Sequence, residues 1–230
     1  TTSQAQLPAI SEQGYASTLT LGGTTYLYTV GGATSTTVYK ATIDASGNIG
    51  TFSTTSQGQL PSNYVGKSMI STTAGTSYLY VMGYGIAFYR ATIDASGNVG
   101  TISTSGQTQL PEYMYAAQSA VMTSVGGTQY MYTFGGWNGS TYLSSAYKST
   151  LDSTGNVVGF TTVSQGQLPY VRGYTGSTVM SINGTNYIYS MGGLTAGSSY
   201  ISTVYKTTID SSQNMGSFVS TSQAQLPLLT

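Results

Sequence analysis

The sequence predicts an all-β fold, a β-propeller of four four-stranded blades in one domain spanning residues 1–230. Three observations predict it. Gln-Leu-Pro recurs with its leucine at 7, 60, 110, 168 and 226, and a second marker, Lys/Arg-(Ala/Ser/Thr)-Thr-(Ile/Leu)-Asp, moves in step, with bases at Lys40, Arg90, Lys148 and Lys206 and acids at Asp44, Asp94, Asp152 and Asp210. Within each period, β-branched and aromatic residues alternate over short runs bounded by Gly or Asn, and no stretch holds a 3.6-residue period, so strands are expected and helices are not. The period of 50 to 58 residues fits four short strands that cannot bury their own faces, and radial stacking of copies can.

The repeats run approximately over 8–60, 61–110, 111–168 and 169–226, and the lead-in of the first, in 1–7, is duplicated in 220–227. In the first repeat the strands are expected at 16–21 (a), 26–30 (b), 37–43 (c) and 49–54 (d). Strand a carries small residues early (Ala16, Ser17, Ser68, Ser119, Ala120, Ser177), as a crowded position near an axis requires. A tight turn such as Gly22-Gly23 or Asn183-Gly184 leads into strand b, which is Tyr-aliphatic-Tyr in every copy (Tyr26 and Tyr28, Tyr78 and Tyr80, Tyr130 and Tyr132, Tyr187 and Tyr189). Strand c ends on the Lys/Arg-to-Asp segment, and Asp-x-x-Gly-Asn turns the chain into strand d. One carboxylate per turn is too few for calcium, which takes six to eight oxygens. An aspartate capping a hairpin whose Gly and Asn accept positive φ explains the motif instead. The basic residue and the aspartate, four apart on one strand face, are placed to pair within or between blades, for about 0–1 kcal/mol per exposed pair.

Paired glycines close strand b in three copies (Val30-Gly31-Gly32, Phe134-Gly135-Gly136, Met191-Gly192-Gly193); a tyrosine follows on strand c (Tyr39, Tyr147, Tyr205) and an aromatic near strand d (Phe52, Phe160, Phe218). In these residues the chain resembles kelch-type repeat proteins, bacterial kelch-like propellers in particular. The second repeat departs from the pattern with Gly83-Tyr84 and Ile102. The resemblance implies the propeller fold and little about activity.

Composition narrows the chemistry. The 230 residues include 6 Lys+Arg and 6 Asp+Glu, with no His and no Cys. That removes disulfides, zinc sites, thiolate nucleophiles and serine–histidine–acid triads. Six cations do not make a phosphate-binding stripe, so no nucleic-acid partner is expected, and no apolar run has the length of a membrane span. No cofactor or metal is expected. Ser, Thr, Gly and Tyr in place of Lys and Glu suggest an extracellular or cell-surface protein. Asn138 and Asn183 stand in glycosylation sequons, the second better read as a hairpin turn. Few titratable groups predict a stability that varies weakly with pH.

Variation between copies locates the expected working face. The a-to-b and c-to-d turns hardly change, whereas the b-to-c loops and the segments after each proline differ in length and content. The charges outside the repeat pattern, Glu12, Lys67, Glu112 and Arg172, fall in the post-proline segments with Tyr64, Tyr113, Tyr115, Tyr170 and Tyr174; Trp137, Tyr142 and Tyr200 fall in the b-to-c loops. Tyrosine, tryptophan and a few charges on loops are the constituents of a recognition patch. The expectation is therefore a non-enzymatic binding or adhesion propeller for a glycan or protein ligand. The alternative is a structural subunit that self-assembles into a homo-oligomer or filament through its duplicated terminal segment. Enzyme chemistry has little to rest on: copper oxidases of the galactose oxidase type need histidine ligands, sialidases need an arginine cluster, and only Glu12 with Glu112 offers a glycosidase acid and base.

Overall fold

Short runs of Thr, Tyr and aliphatic residues form antiparallel hairpins throughout the computed structural model, which describes residues 5–8, 14–32, 34–63, 67–83, 85–114, 120–164, 166–197, 199–220 and 224–227. Its strands are β1 (Tyr15–Leu21), β2 (Thr24–Val30), β3 (Val38–Ile43), β4 (Lys67–Thr73), β5 (Thr76–Met82), β6 (Phe88–Ile93), β7 (Ala120–Val125), β8 (Thr128–Phe134), β9 (Ala146–Leu151), β10 (Val157–Thr162), β11 (Gly176–Ile182), β12 (Thr185–Met191), β13 (Leu194–Thr195), β14 (Ser199–Tyr200) and β15 (Val204–Ile209). Among the described residues there is no helix, so the all-β expectation stands. Strands a, b and c of each repeat lie in sequence order in one sheet: β1-β2-β3, β4-β5-β6, β7-β8-β9 with β10, and β11-β12-β15.

The a-to-b turns are alike because their backbone is alike. Gly22 and Gly23 have φ of 53° and 82°, Ala74 and Gly75 47° and 80°, Gly126 and Gly127 57° and 81°, Asn183 and Gly184 50° and 77°. Two successive positive φ values make the type I′ turn, whose twist matches the strands it joins. Asn183 is thus a turn residue.

Strand d corrects the expectation of four-stranded blades. In the first, second and fourth repeats it pairs with strand c at two points only, Ile49 and Ser53, Val99 and Ser103, Met215 and Val219, with one extra residue between them. Only the third repeat has a continuous fourth strand, β10, interrupted by the same bulge between Val158 and Thr161. Val158 stands where the others have Gly50, Gly100 and Gly216. The glycine N–H groups still donate to strand c, Gly50 to the Thr42 carbonyl (2.8 Å), Gly100 to Thr92 (2.8 Å) and Gly216 to Thr208 (2.9 Å), and the extra residue that follows each glycine interrupts the ladder.

Each Asp-x-x-Gly-Asn turn is built on its own carboxylate. Asp94 Oδ1 accepts the backbone N–H groups of Ser96 (2.9 Å) and Asn98 (2.8 Å), and Oδ2 accepts the Asn98 side-chain amide (3.1 Å). Asp44 repeats this with Ser46 and Asn48. Those donors hold both carboxyls below the usual carboxylate range. The basic residue of the marker reaches the turn of the following repeat: Lys40 Nζ donates to Asn98 Oδ1 (2.6 Å) and the Ser96 carbonyl (3.0 Å), Arg90 to the Thr154 carbonyl (2.6 Å), Lys148 to Asn214 Oδ1 (2.8 Å).

The described residues form two compact units. The first comprises those up to Gln109 with Ser153–Gly155, the second those of Leu110–Asp152 and from Asn156 onward. In the first unit Tyr28, Val30, Val38, Leu79, Val81, Ile93 and Val99 form the core. The Tyr28 and Tyr80 hydroxyls donate to the carbonyls of Gly97 and Gly155, each at 2.8 Å. In the second unit Tyr132, Phe134, Ile188, Met215 and Phe218 form the core, and the Tyr132 hydroxyl donates to the Gln213 carbonyl (2.9 Å). The Gln-Leu-Pro segment closes the repeat that precedes it: the Leu60, Leu168 and Leu226 N–H groups donate to the carbonyls of Thr36, Ser144 and Ser202, just before strand c, each at 2.9 Å. The duplicated segment at the carboxyl end therefore serves the fourth repeat as the internal copies serve theirs.

Candidate functional site

The irregular loops of the second unit are held by backbone bonds that tie the post-proline segment of the fourth repeat to the b-to-c loops of the third repeat and of its own. Gly136 N–H donates to the Arg172 carbonyl (2.8 Å), Arg172 N–H to the Leu143 carbonyl (2.9 Å), and Gly173 and Leu194 exchange two bonds (3.0 and 2.9 Å). This crossing explains the paired glycines: at Gly135, with φ of 69°, a Cβ would lie 2.8 Å from the Arg172 carbonyl oxygen.

Six of the expected site residues gather on these loops. Trp137 and Tyr142 pair across a short bridge, with ring centroids 4.8 Å apart at 60°. Behind Tyr142 passes Gly173, where a Cβ would lie 3.0 Å from the tyrosine ring. Burial, together with the neighbouring phenols of Tyr174 and Tyr200, pushes the Tyr142 hydroxyl above its ordinary pKa. Tyr174 is held at φ of 55°, unusual for an aromatic residue, directly before the Thr175 that packs against Gly193. Tyr200, on β14, is 83% exposed. Trp137, Tyr142, Ser140, Thr141, Ala196 and Gly197 line a depression of about 200 Å³, aromatic on one side and hydroxyl-bearing on the other. Asn138 shapes its rim: its side-chain oxygen accepts the N–H groups of Ser140 (3.0 Å) and Thr141 (2.8 Å).

A second cavity, of about 280 Å³, is lined by Tyr170, Arg172, Thr195, Ile201, Thr203 and Tyr205. Tyr170 is 69% exposed, while Arg172 is only 1% exposed. The Arg172 guanidinium lies over the Tyr205 ring, 4.3 Å from its centroid. Burial pushes the Arg172 pKa down and the Tyr205 hydroxyl opposes the shift; a guanidinium stays charged regardless.

Glu112 also lies in this unit and accepts a hydrogen bond from the Tyr147 hydroxyl at 2.8 Å. Burial first, and then this carboxylate, raise the Tyr147 pKa. The unit's other described carboxylates, Asp152 and Asp210, each accept the N–H of the asparagine four residues on, at 2.8 Å. Tyr113 follows Glu112 and is half-buried. Lys67 begins β4 in the first unit, where burial pushes its pKa down. Glu12, Tyr64 and Tyr115 lie outside the described residues. Sequence reasoning passed over Tyr147, Thr195, Thr203 and Tyr205. The two tyrosines recur in every repeat and were read as scaffold; only their pairing with the variable Glu112 and Arg172 distinguishes them.

No family model matches this sequence, and no curated protein does. Solved structures resemble it in fold. A glycoside hydrolase family 43 arabinoxylan arabinofuranohydrolase from Bacillus subtilis, in complex with cellotetraose, matches with a TM-score of 0.57 at 15% identity, over 95% of this chain and 52% of its own. The GH43_1 enzyme from Xanthomonas citri, complexed with xylose, matches with 0.59 at 13% identity, over 91% and 73%. The arabinanase Arb43A of Bacillus subtilis matches with 0.54 at 15% identity, over 95% and 83%. This chain thus spans about half the length of the first of them. At such identities the likeness is one of fold, and it supports a β-propeller. It also corrects four expectations. The neighbours are family 43 glycoside hydrolases and not kelch-repeat proteins, and at Gly135 the glycine pair that carried the kelch resemblance has the local cause given above. The expected absence of enzymatic activity and the adhesion reading are overturned by the same finding, since the structures sharing the fold are enzymes. The self-assembling alternative falls with them. Lack of histidine and cysteine does not bear on glycoside hydrolysis, which runs on carboxyl groups.

Proposed function

We propose that this protein is a carbohydrate-degrading enzyme that hydrolyses glycosidic bonds, binding its glycan on the irregular loops of the second unit. The observation that carries the reading is the fold shared over 91% or more of this chain with glycoside hydrolases whose structures hold xylose or cellotetraose. The loops supply what a sugar needs. The Trp137 and Tyr142 rings offer apolar area for the face of a pyranose or furanose ring, and Ser140 and Thr141 lie beside them for its hydroxyls.

Hydrolysis breaks the bond from the anomeric carbon to the leaving oxygen. The oxygen takes a proton from a carboxylic acid, and the oxygen of a water joins the anomeric carbon while the water's proton goes to a carboxylate, so that the acid is restored over the cycle. Glu112 is the group assigned to the first transfer, as the described carboxylate of its unit that shapes no Asp-x-x-Gly-Asn turn; the Tyr147 hydroxyl orients it. A polymeric glycan substrate places the enzyme outside the cell, in keeping with its composition.

The test is reducing-sugar release from arabinan, xylan and arabinoxylan. Hydrolysis of at least one is expected, with kcat lowered about 10²–10⁴-fold by Glu112→Gln. Trp137→Ala is expected to raise KM while changing kcat much less. Absence of any release, or full activity in Glu112→Gln, overturns the reading or the role of Glu112 respectively.

A further inference from the structure

The cavity beneath Tyr170 holds an uncompensated charge. Arg172 is 1% exposed, and among the described residues its Nε has no hydrogen-bond partner and its Nη1 a long contact of 3.5 Å to the Gly192 carbonyl. Tyr205 offers the guanidinium a ring face and a neutral hydroxyl, which attract the cation without neutralising it. Among the described residues that line the cavity none is a carboxylate: they are Tyr170, Thr195, Ile201, Thr203 and Tyr205 beside Arg172 itself. Buried arginines are ordinarily met by a carboxylate or phosphate in a two-bond fork, which this one lacks. The backbone of Arg172 is fixed on both sides, N–H to Leu143 and carbonyl to Gly136, and its guanidinium lies over the Tyr205 ring.

We propose that this cavity is a subsite for the carboxylate of an acidic sugar, a uronic acid residue of the glycan. The uronate carboxylate meets the Arg172 guanidinium. The sugar ring lies against exposed Tyr170, whose apolar face suits it as it does not suit a bare inorganic anion, and the Thr195 and Thr203 hydroxyls flank the ring. The inference names the substrate class for the reading above and rests on it: the glycan is one that carries uronic acids among neutral sugars.

Calorimetric titration tests it, using methyl glucuronide and methyl galacturonide against methyl glucoside and methyl xyloside, with sodium acetate and phosphate as free anions. Charge-assisted pairing predicts a uronide bound about tenfold or more tighter than its neutral counterpart. That ratio is expected to fall to about one in Arg172→Gln and to fall only partly in Arg172→Lys, which keeps the charge and loses the fork. Thr203→Trp fills the cavity while keeping the arginine in the sequence and is expected to abolish the preference as well, which keeps the test intact if Arg172→Gln fails to fold. Equal binding of acidic and neutral sugars overturns the subsite, as does binding of acetate or phosphate as tight as that of the uronides. Uronide selectivity without hydrolysis of any polysaccharide upholds the subsite and overturns the enzymatic reading. Hydrolysis of neutral arabinan or xylan with no uronide preference does the reverse.

Discussion

At the scale of single residues, the inner tyrosine of strand b shows how one side chain ties two repeats together. Tyr28, Tyr80 and Tyr132 are fully buried, and each spends its hydroxyl on the carbonyl of the residue before the asparagine in the aspartate turn of the repeat that follows, Gly97, Gly155 and Gln213. Removing the oxygen leaves that carbonyl without its donor in a dry site. Tyr132→Phe is expected to lower unfolding free energy by about 1 kcal/mol, measurable by urea denaturation; no change means that the Gln213 carbonyl finds another donor. The outer tyrosine sets the second constraint. At Gly97, with φ of 73°, a Cβ would lie 2.9 Å from the Tyr26 ring, whereas at Gly47, with φ of 81°, nothing stands within 4 Å. Both alanine substitutions bear the cost of positive φ, and only Gly97→Ala adds a ring displacement. It is expected to destabilise more than Gly47→Ala by about 1 kcal/mol or more, and equal losses would remove Tyr26 from the account.

Among the elements, the a-to-b hairpin is the part most legible in the sequence, and strand d the least. Glycine, Asn-Gly and Ala-Gly at the turn positions announce two-residue connections, and alternation of Tyr with aliphatics on strand b announces its inner face, so strands a, b and c fall within two residues of their expected bounds in the first repeat. Strand d has the same alternation around Phe52 and Phe218, but alternation does not register a bulge, and one extra residue after Gly50 and Gly216 interrupts the ladder. The site divides along the same line. Trp137, Tyr142, Tyr200 and Arg172 stand out because they break the repeat, and the fold brings them to one set of loops; Tyr205 and Tyr147 do not, because a side chain that recurs in every copy looks like scaffold until its partner is seen. The hairpins also carry a prediction. Gly126 has φ of 57° where the fourth repeat has Asn183 at 50°. Gly126→Asn is expected to leave the melting temperature nearly unchanged, since asparagine tolerates this conformation, while Gly126→Val, β-branched, is expected to lower stability by more than about 1 kcal/mol. A valine variant as stable as the asparagine one would contradict the type I′ assignment.

For the whole molecule, the scarcity of charge fixes how stability responds to pH. The chain has no histidine, so none of its side chains has an ordinary pKa between those of the carboxylates and those of lysine and tyrosine. At the acid edge, Asp44 and Asp94 have folded pKa values below their unfolded ones. The unfolded chain therefore takes up protons first, and the stability these turns contribute is present above about pH 4 and lost as pH falls toward the folded values. At the alkaline edge, burial raises Tyr28 and Tyr132 well above the ordinary phenol range. Their contribution is complete below about pH 10, the unfolded phenol value, and is lost as pH rises beyond it, because the unfolded chain ionises while the fold holds the protons on. Lys67 works against this loss: its folded pKa is lowered, so deprotonation on approach to pH 10 relieves a buried charge. Melting followed by near-ultraviolet circular dichroism is accordingly expected to show a plateau from about pH 5 to 9, a fall below it carried by the aspartate turns, and a shallower fall above it. Asp94→Asn is expected to lower the plateau and flatten the acid limb, since it removes both the acceptor and the titrating group. A steady slope across the plateau, or an acid limb as steep in Asp94→Asn as in the parent, would show that the turns do not set the acid response.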